Sequence, residues 1–283
     1  VYKRQLMDTP ILHDKINFTS VISSKLAEIN IDYLEKHSQI KKANAQGASH
    51  LEAGVVVLIN CTEKSREPKY IFQLIKRSSK VTQGGDISCP GGMLHPSVDN
   101  FFSIFFKAGL IPAMRGIKLK YRDKNLLPLI RLFLANSLRE AWEEIGLNAY
   151  NVSFLGALPA YSLSSFTRTI YPLVCLTHNP FKYKLNSEVE KVVEIPLSFF
   201  FETSNYAWLQ VTTPEGSNAY AETSRFPCMA IPDEKGDCDI LWGATFHIIT
   251  NFLNIIFDKQ LPVPPADRIF KKIITENYLT GGR

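Results

Sequence analysis

Residues 139–147 read Arg-Glu-Ala-Trp-Glu-Glu-Ile-Gly-Leu. On a helix advancing about 100° per residue, Glu140, Glu143 and Glu144 fall on one stripe. Leu138, Ala141, Trp142 and Ile145 fall on the other side, as a face turned to a core would. Grouped carboxylates beside an apolar face suit a hard divalent cation, which prefers oxygen ligands. They equally suit a solvated helix face, so the spacing alone leaves both readings open. Upstream, residues 84–92 read Gly-Gly-Asp-Ile-Ser-Cys-Pro-Gly-Gly. That density of Gly and Pro predicts a short strand running into a tight loop with exposed backbone. Such a loop lets a carbonyl approach a cation without obstruction by side chains.

These groups need elements to position them. The acidic helix is predicted to start near Leu129 and to stop at Gly146, a C-terminal glycine. Gly54–Asn60 is apolar and β-branched and predicts a buried strand. Lys69–Lys76 predicts a second strand, with Glu63–Pro68 as the turn between them. Further strands are predicted at Val152–Leu158, Ile170–Leu176, Glu188–Ile195, Ala207–Val211 and Arg225–Met229. Ser198–Phe201 reads as the start of a short helix, and Ile240–Phe257 as a long apolar helical run. Residues 1–47 form a polar extension with a helical pattern around Lys25–Lys42, expected to pack on a main domain at 48–265. Residues 266–283 are expected to be a tail.

The chain has 283 residues, of which 45% are hydrophobic and 21% charged, the balance of a globular protein with a sizeable core. No apolar run reaches the roughly 18 residues of a membrane-spanning helix. No signal peptide is evident in the first twenty residues, and the C-terminal Gly-Gly-Arg is not a peroxisomal address. Five widely spaced cysteines lack zinc or redox spacing and read as reduced, mostly buried thiols. Together these features point to a cytoplasmic protein. The net charge of +5 is a mild bias that does not argue for nucleic-acid binding. Lys118, Lys120, Arg122 and Lys124 read as a solvated basic group.

Every fixed position of residues 139–147 resembles the second half of the Nudix hydrolase motif. The resemblance extends along the chain. Arg77, Ser78, Gly85, Ser88, Pro90, Gly91 and Gly92 match the upstream signature of the coenzyme A diphosphatase branch. Asn186–Leu197 and Leu241–Thr245 resemble two later segments of that branch. The resemblance implies an α/β fold, a Nudix α/β/α sandwich around a mixed sheet. It also implies hydrolysis of the diphosphate of coenzyme A or acyl-coenzyme A, giving 3′,5′-ADP and 4′-phosphopantetheine. Mg²⁺ or Mn²⁺ would be held by Glu140, Glu143, Glu144 and the Gly91 carbonyl. Glu143, Glu144 and Glu188 are the candidate acids and bases. Arg77, Ser88 and Gly92 are candidate substrate contacts, with Arg77 suited to phosphate oxygens. Arg139 would orient the acids by salt bridges, and Gly146 would end the helix. Two rivals are a Nudix hydrolase for another nucleoside diphosphate derivative, such as ADP-ribose or a dinucleotide, and a non-catalytic binding module of the same fold.

Two departures stand out. Gly92 and Arg139 are forty-seven residues apart, much farther than the motif usually places them, so about 97–130 reads as an insertion. The motif's first glutamate is replaced by Val98, with Asp99 adjacent as its substitute. Within the insertion, Phe101, Phe102, Phe105 and Phe106 recur at near-helical spacing. They are read most simply as a packing cluster, and more sharply as a lid over the acyl end of the substrate or a homodimer surface. His95 and His247 read as packed or exposed histidines rather than catalysts.

Overall fold

The β-branched run near position 54 forms the central strand β1 (Leu51–Thr62), and β2 (Lys69–Arg77) returns antiparallel to it. The computed structural model describes residues 10–12, 14, 16–62, 69–114, 125–163, 167–212, 223–233, 236–258, 260–274 and 278. The expected turn at 63–68, the basic group at 118–124 and the terminal Gly-Gly-Arg lie outside these residues.

β1 and β2 pair from Leu58↔Gln73 to Thr62↔Lys69 and then separate. The Gly-rich segment fills the wedge between them. Its first part, β3 (Ile87–Ser88), pairs with β2, and its second, β4 (Gly91–Met93), pairs with β1. On the outer edge of β1 lies the parallel strand β7 (Arg168–Thr177), followed by β5 (Val152–Ala157). β6 (Tyr161–Leu163) also pairs with β7, and β8 (Val189–Pro196) closes the far edge of β2. The sheet is therefore mixed, with eight strands among the described residues.

Side chains alternate between the two faces of this sheet. Val56 and Leu58 face α4 (Leu126–Ile145) and α2 (Tyr33–Ala45). Val57 and Ile59 face α1 (Phe18–Glu28) and α5 (Gly243–Phe257). Helices cover both faces, so the architecture is the expected α/β/α sandwich. A second, four-stranded sheet adds β9 (Tyr206–Thr212), β10 (Thr223–Pro232), β11 (Cys238–Trp242) and β12 (Ile269–Ile273), in the order β11-β10-β9-β12.

Three local expectations are corrected. The N-terminal helical pattern is two helices, broken where Asp32 accepts the Ala160 N–H (2.8 Å) and Ile31 enters the core. The apolar run from Ile240 begins as a strand, because Cys238–Trp242 pairs with β10, and the helix starts only at Gly243, with φ 64°. Trp142 is 63% exposed rather than turned to the core. The buried arc of α4 centres on Leu138, Ala141 and Ile145, and Trp142 falls past its edge.

α4 approaches β1 closely enough that position 54 has no room for a side chain. A Cβ on Gly54 would lie 2.6 Å from Asn136 Oδ1 and 2.7 Å from the Phe133 carbonyl oxygen. Asn136, fully buried within α4, accepts the Gly54 N–H (2.7 Å) and donates to the Met93 carbonyl (2.9 Å). One amide thus ties α4 to both strands. Gly54→Ala is expected to destabilise the fold by about 1–3 kcal/mol, as overpacking against rigid backbone does. Urea unfolding at constant m-value checks this.

Candidate active site

The acidic helix lies directly over the Gly loop. Glu144 is 4% exposed, and its Oε2 accepts the Gly91 N–H at 2.9 Å. Glu140, one turn earlier, rests on Gly92: a Cβ there would lie 2.4 Å from Glu140 Cδ and 2.5 Å from its Oε2. A side chain at 92 would therefore push the Glu140 carboxylate off the loop. Gly91 is held at φ 144°, a conformation that side chains resist, and its carbonyl-bearing strand is fixed by pairing with Val55. The Pro90 carbonyl is already taken by the Val56 N–H (2.8 Å).

Arg139 organises the outer side. Its Nε donates to Asp99 Oδ1 at 2.8 Å, its Nη2 to Glu140 Oε1 at 2.8 Å, and its Nη1 to Glu143 Oε1 at 3.1 Å. Burial opposes the charge of Arg139, but Asp99, Glu140 and Glu143 more than offset it and raise its pKa. Asp99 is fully buried on α3 (Pro96–Lys107) and also accepts the His95 N–H at 2.7 Å. Val98 beside it is exposed. Asp99 thus anchors Arg139 across the insertion.

Desolvation acts on both inner carboxylates. Burial pushes the Glu144 carboxyl up to about 8, against the Gly91 N–H and Arg77, and Glu140 and Glu188 push it in the same upward direction. Glu140 is also raised, chiefly by burial, with Arg139 opposing. Desolvated carboxylates beside loop backbone are the donor chemistry a hard cation uses. Among the described residues no three His, Cys, Asp or Glu side chains converge as a ready metal cluster. Glu143 is exposed and paired with Arg139 Nη1.

The remaining candidates fall around this centre. Arg77 ends β2, its Nε donates to the Thr82 carbonyl (3.0 Å), and its charge favours ionisation of Glu144. Glu188 is exposed, its carbonyl accepts the Ser78 N–H (2.8 Å), and its charge is felt by Glu144. Ser88 lies on β3 opposite Ile75, with its Oγ buried and without a hydrogen-bond partner. Gly146 adopts φ 75° and caps α4, outside the acidic centre. His95 is exposed, and His247 packs against Tyr161 with ring centroids 4.7 Å apart and planes tilted by 36°.

Sequence reasoning offered Asp99 as the substitute for the motif's first glutamate and did not single out Asn136 or Arg168. A polar residue within the apolar face of α4 was the available signal for Asn136. In the insertion, Phe106 is buried with α4, whereas Phe101, Phe102 and Phe105 contact one another and Phe101 and Ile104 are each 58% exposed.

No protein-family model and no curated protein sequence matches the chain. Several solved structures share a likeness to it. The MutT/nudix family protein from Enterococcus faecalis is 12% identical at TM-score 0.41, over 81% of this chain and 73% of that one. The NUDIX domain of Shewanella oneidensis NrtR complexed with ADP ribose is 13% identical at TM-score 0.35, over 54% and 77%. A C. elegans Ap4A hydrolase binary complex is 14% identical at TM-score 0.33, over 52% and 80%. Among the described residues no helix is long and apolar enough to cross a membrane.

Proposed function

We propose that this protein is a Nudix-type, metal-dependent hydrolase that splits the diphosphate of coenzyme A or acyl-coenzyme A into 3′,5′-ADP and (acyl-)4′-phosphopantetheine. The observation that carries this reading is the seating of Glu140 and Glu144 on the Gly91–Gly92 backbone, with Arg139 braced behind them by buried Asp99. A solvated helix face would not bury Glu144 or press Glu140 against a glycine.

Mg²⁺ or Mn²⁺, held by Glu140, Glu143, Glu144 and the Gly91 carbonyl, would supply charge neutralisation of the diphosphate and activation of water. The chain's own groups do the rest. Glu144 is fixed in direction by the Gly91 N–H, so its second oxygen is the one offered to the site. Arg139 leaves Glu140 one uncommitted oxygen, the one nearer Gly92. Glu143, Glu144 and Glu188 are the candidates to take a proton from water, and Glu143 and Glu188 are exposed. Arg77 and Ser88 offer donors to phosphate oxygens, and Gly92 keeps the approach open. The signature around Arg77–Gly92 directs the reading to coenzyme A.

A substrate panel in Mg²⁺ tests this. Preferential release of 3′,5′-ADP from coenzyme A is the expected result. Turnover of ADP-ribose or a dinucleotide alone would move the assignment to another nucleoside diphosphate. Binding of coenzyme A with no turnover of any diphosphate would make the protein a binding module.

A further inference from the structure

We propose that Arg168 is a second cationic contact for the substrate's diphosphate, acting with Arg77 at the end of the sheet that carries Gly91 and Gly92. This inference rests on the diphosphate chemistry proposed above. Nothing in the sequence motifs assigns a role to Arg168.

Topology puts the residue in place. Arg168 opens β7, with Leu51 of β1 on one side and Leu163 of β6 on the other. β4 lies along the opposite edge of β1, pairing Ala53↔Met93 and Val55↔Gly91. Arg168 and the Gly91–Met93 strand therefore share one end of the sheet, separated by β1. Arg77 links the two regions. It stands close enough to Glu144 to favour that group's charged form and close enough to Arg168 to disfavour its charge.

The chemistry of this pair is incomplete. Arg168 is only partly exposed, and its Nε is buried with no hydrogen-bond partner. Among the described residues no carboxylate pairs with Arg168 or Arg77. Burial and the neighbouring Arg77 both lower the Arg168 pKa. A second unpaired polar atom, Ser88 Oγ, lies on β3 opposite Ile75, two positions from Arg77. Two partly desolvated guanidiniums without an ion-pair partner among the described residues, and a free hydroxyl, match a multiply charged phosphate group. Guanidinium binds phosphate oxygens with charge-assisted hydrogen bonds. An arginine retained for folding would be expected to have a carboxylate or carbonyl on its buried nitrogen instead.

The test is calorimetric titration of the full chain with α,β-methylene-ADP, a diphosphate that cannot be hydrolysed, in Mg²⁺ buffer. Arg168→Gln is expected to weaken binding about tenfold or more, the loss typical of one charge-assisted hydrogen bond. Arg168→Lys should recover part of that loss, and the thermal midpoint of neither variant should fall. Affinity of Arg168→Gln within about twofold of wild type overturns the proposal. So does a lowered midpoint in both variants, or a wild type that does not bind the probe. The hydrolase reading is scored separately on the substrate panel. Weakened probe binding in Arg168→Gln, with no diphosphate turned over by wild type, keeps the contact and rejects the hydrolase. Normal turnover with unchanged affinity in Arg168→Gln rejects the contact and keeps the hydrolase.

Discussion

Glu144→Gln is expected to lower turnover of the preferred diphosphate by about a hundredfold to ten-thousandfold, the range lost when a metal ligand or positioned acid–base group is removed. The amide retains an oxygen for the Gly91 N–H, so the loop should keep its place. It also removes an ionisable group that is 4% exposed and costly to hold charged. The variant should therefore melt no lower than wild type in metal-free buffer. Steady-state rates with Mg²⁺, paired with thermal unfolding, check both halves. Near-normal turnover would remove Glu144 from the metal site. A collapse in stability would mean that its role is to hold the fold.

The second large effect lies behind the acids. Arg139→Met should destabilise the protein by about 3–5 kcal/mol, the cost of leaving a buried charge without its partner. Asp99 is fully buried, and beyond Arg139 it has the His95 N–H. Asp99→Asn in the same chain should recover a large part of the loss, because no stranded carboxylate then remains. Denaturant unfolding of the two single variants and the double variant measures this coupling. Additive losses in the double variant would show that the pair is not coupled. Turnover should fall in Arg139→Met even under stabilising conditions, since Glu140 and Glu143 both lose their brace.

Much of this arrangement was legible before any coordinates. Local chemistry reports local structure: Gly146 marked the end of α4, and the spacing of Glu140, Glu143 and Glu144 marked its acidic side. The apolar runs marked the long strands of the main sheet, because burial on both faces leaves a continuous β-branched signature, although β1 extends past the expected Gly54–Asn60 at both ends. What was not legible depends on pairing across the chain. Ile240–Trp242 is as apolar as the helix after it, and only its partner β10 makes it a strand. Trp142 reads as a core residue by type, yet the curvature of packing leaves it outside. Arg168 carries no local pattern, and its interest lies in partners it lacks. Asp99 stands one position from the expected glutamate, and only the fold of α3 shows that its carboxylate reaches Arg139.

The Gly-rich loop has one further set of contacts. Asp86, just before β3, accepts the Trp242 indole N–H at 3.1 Å and bonds Lys272 and the Tyr278 hydroxyl. The Tyr278 carbonyl also receives the Gln83 N–H at 2.7 Å. Residues made early in synthesis are thus secured by residues made about two hundred positions later. A nascent chain holding the whole acidic helix still has a loop with Asp86 unclasped. The loop gains these clasps only once Lys272 and Tyr278 have been made, so its backbone is set by late as well as early parts of the chain.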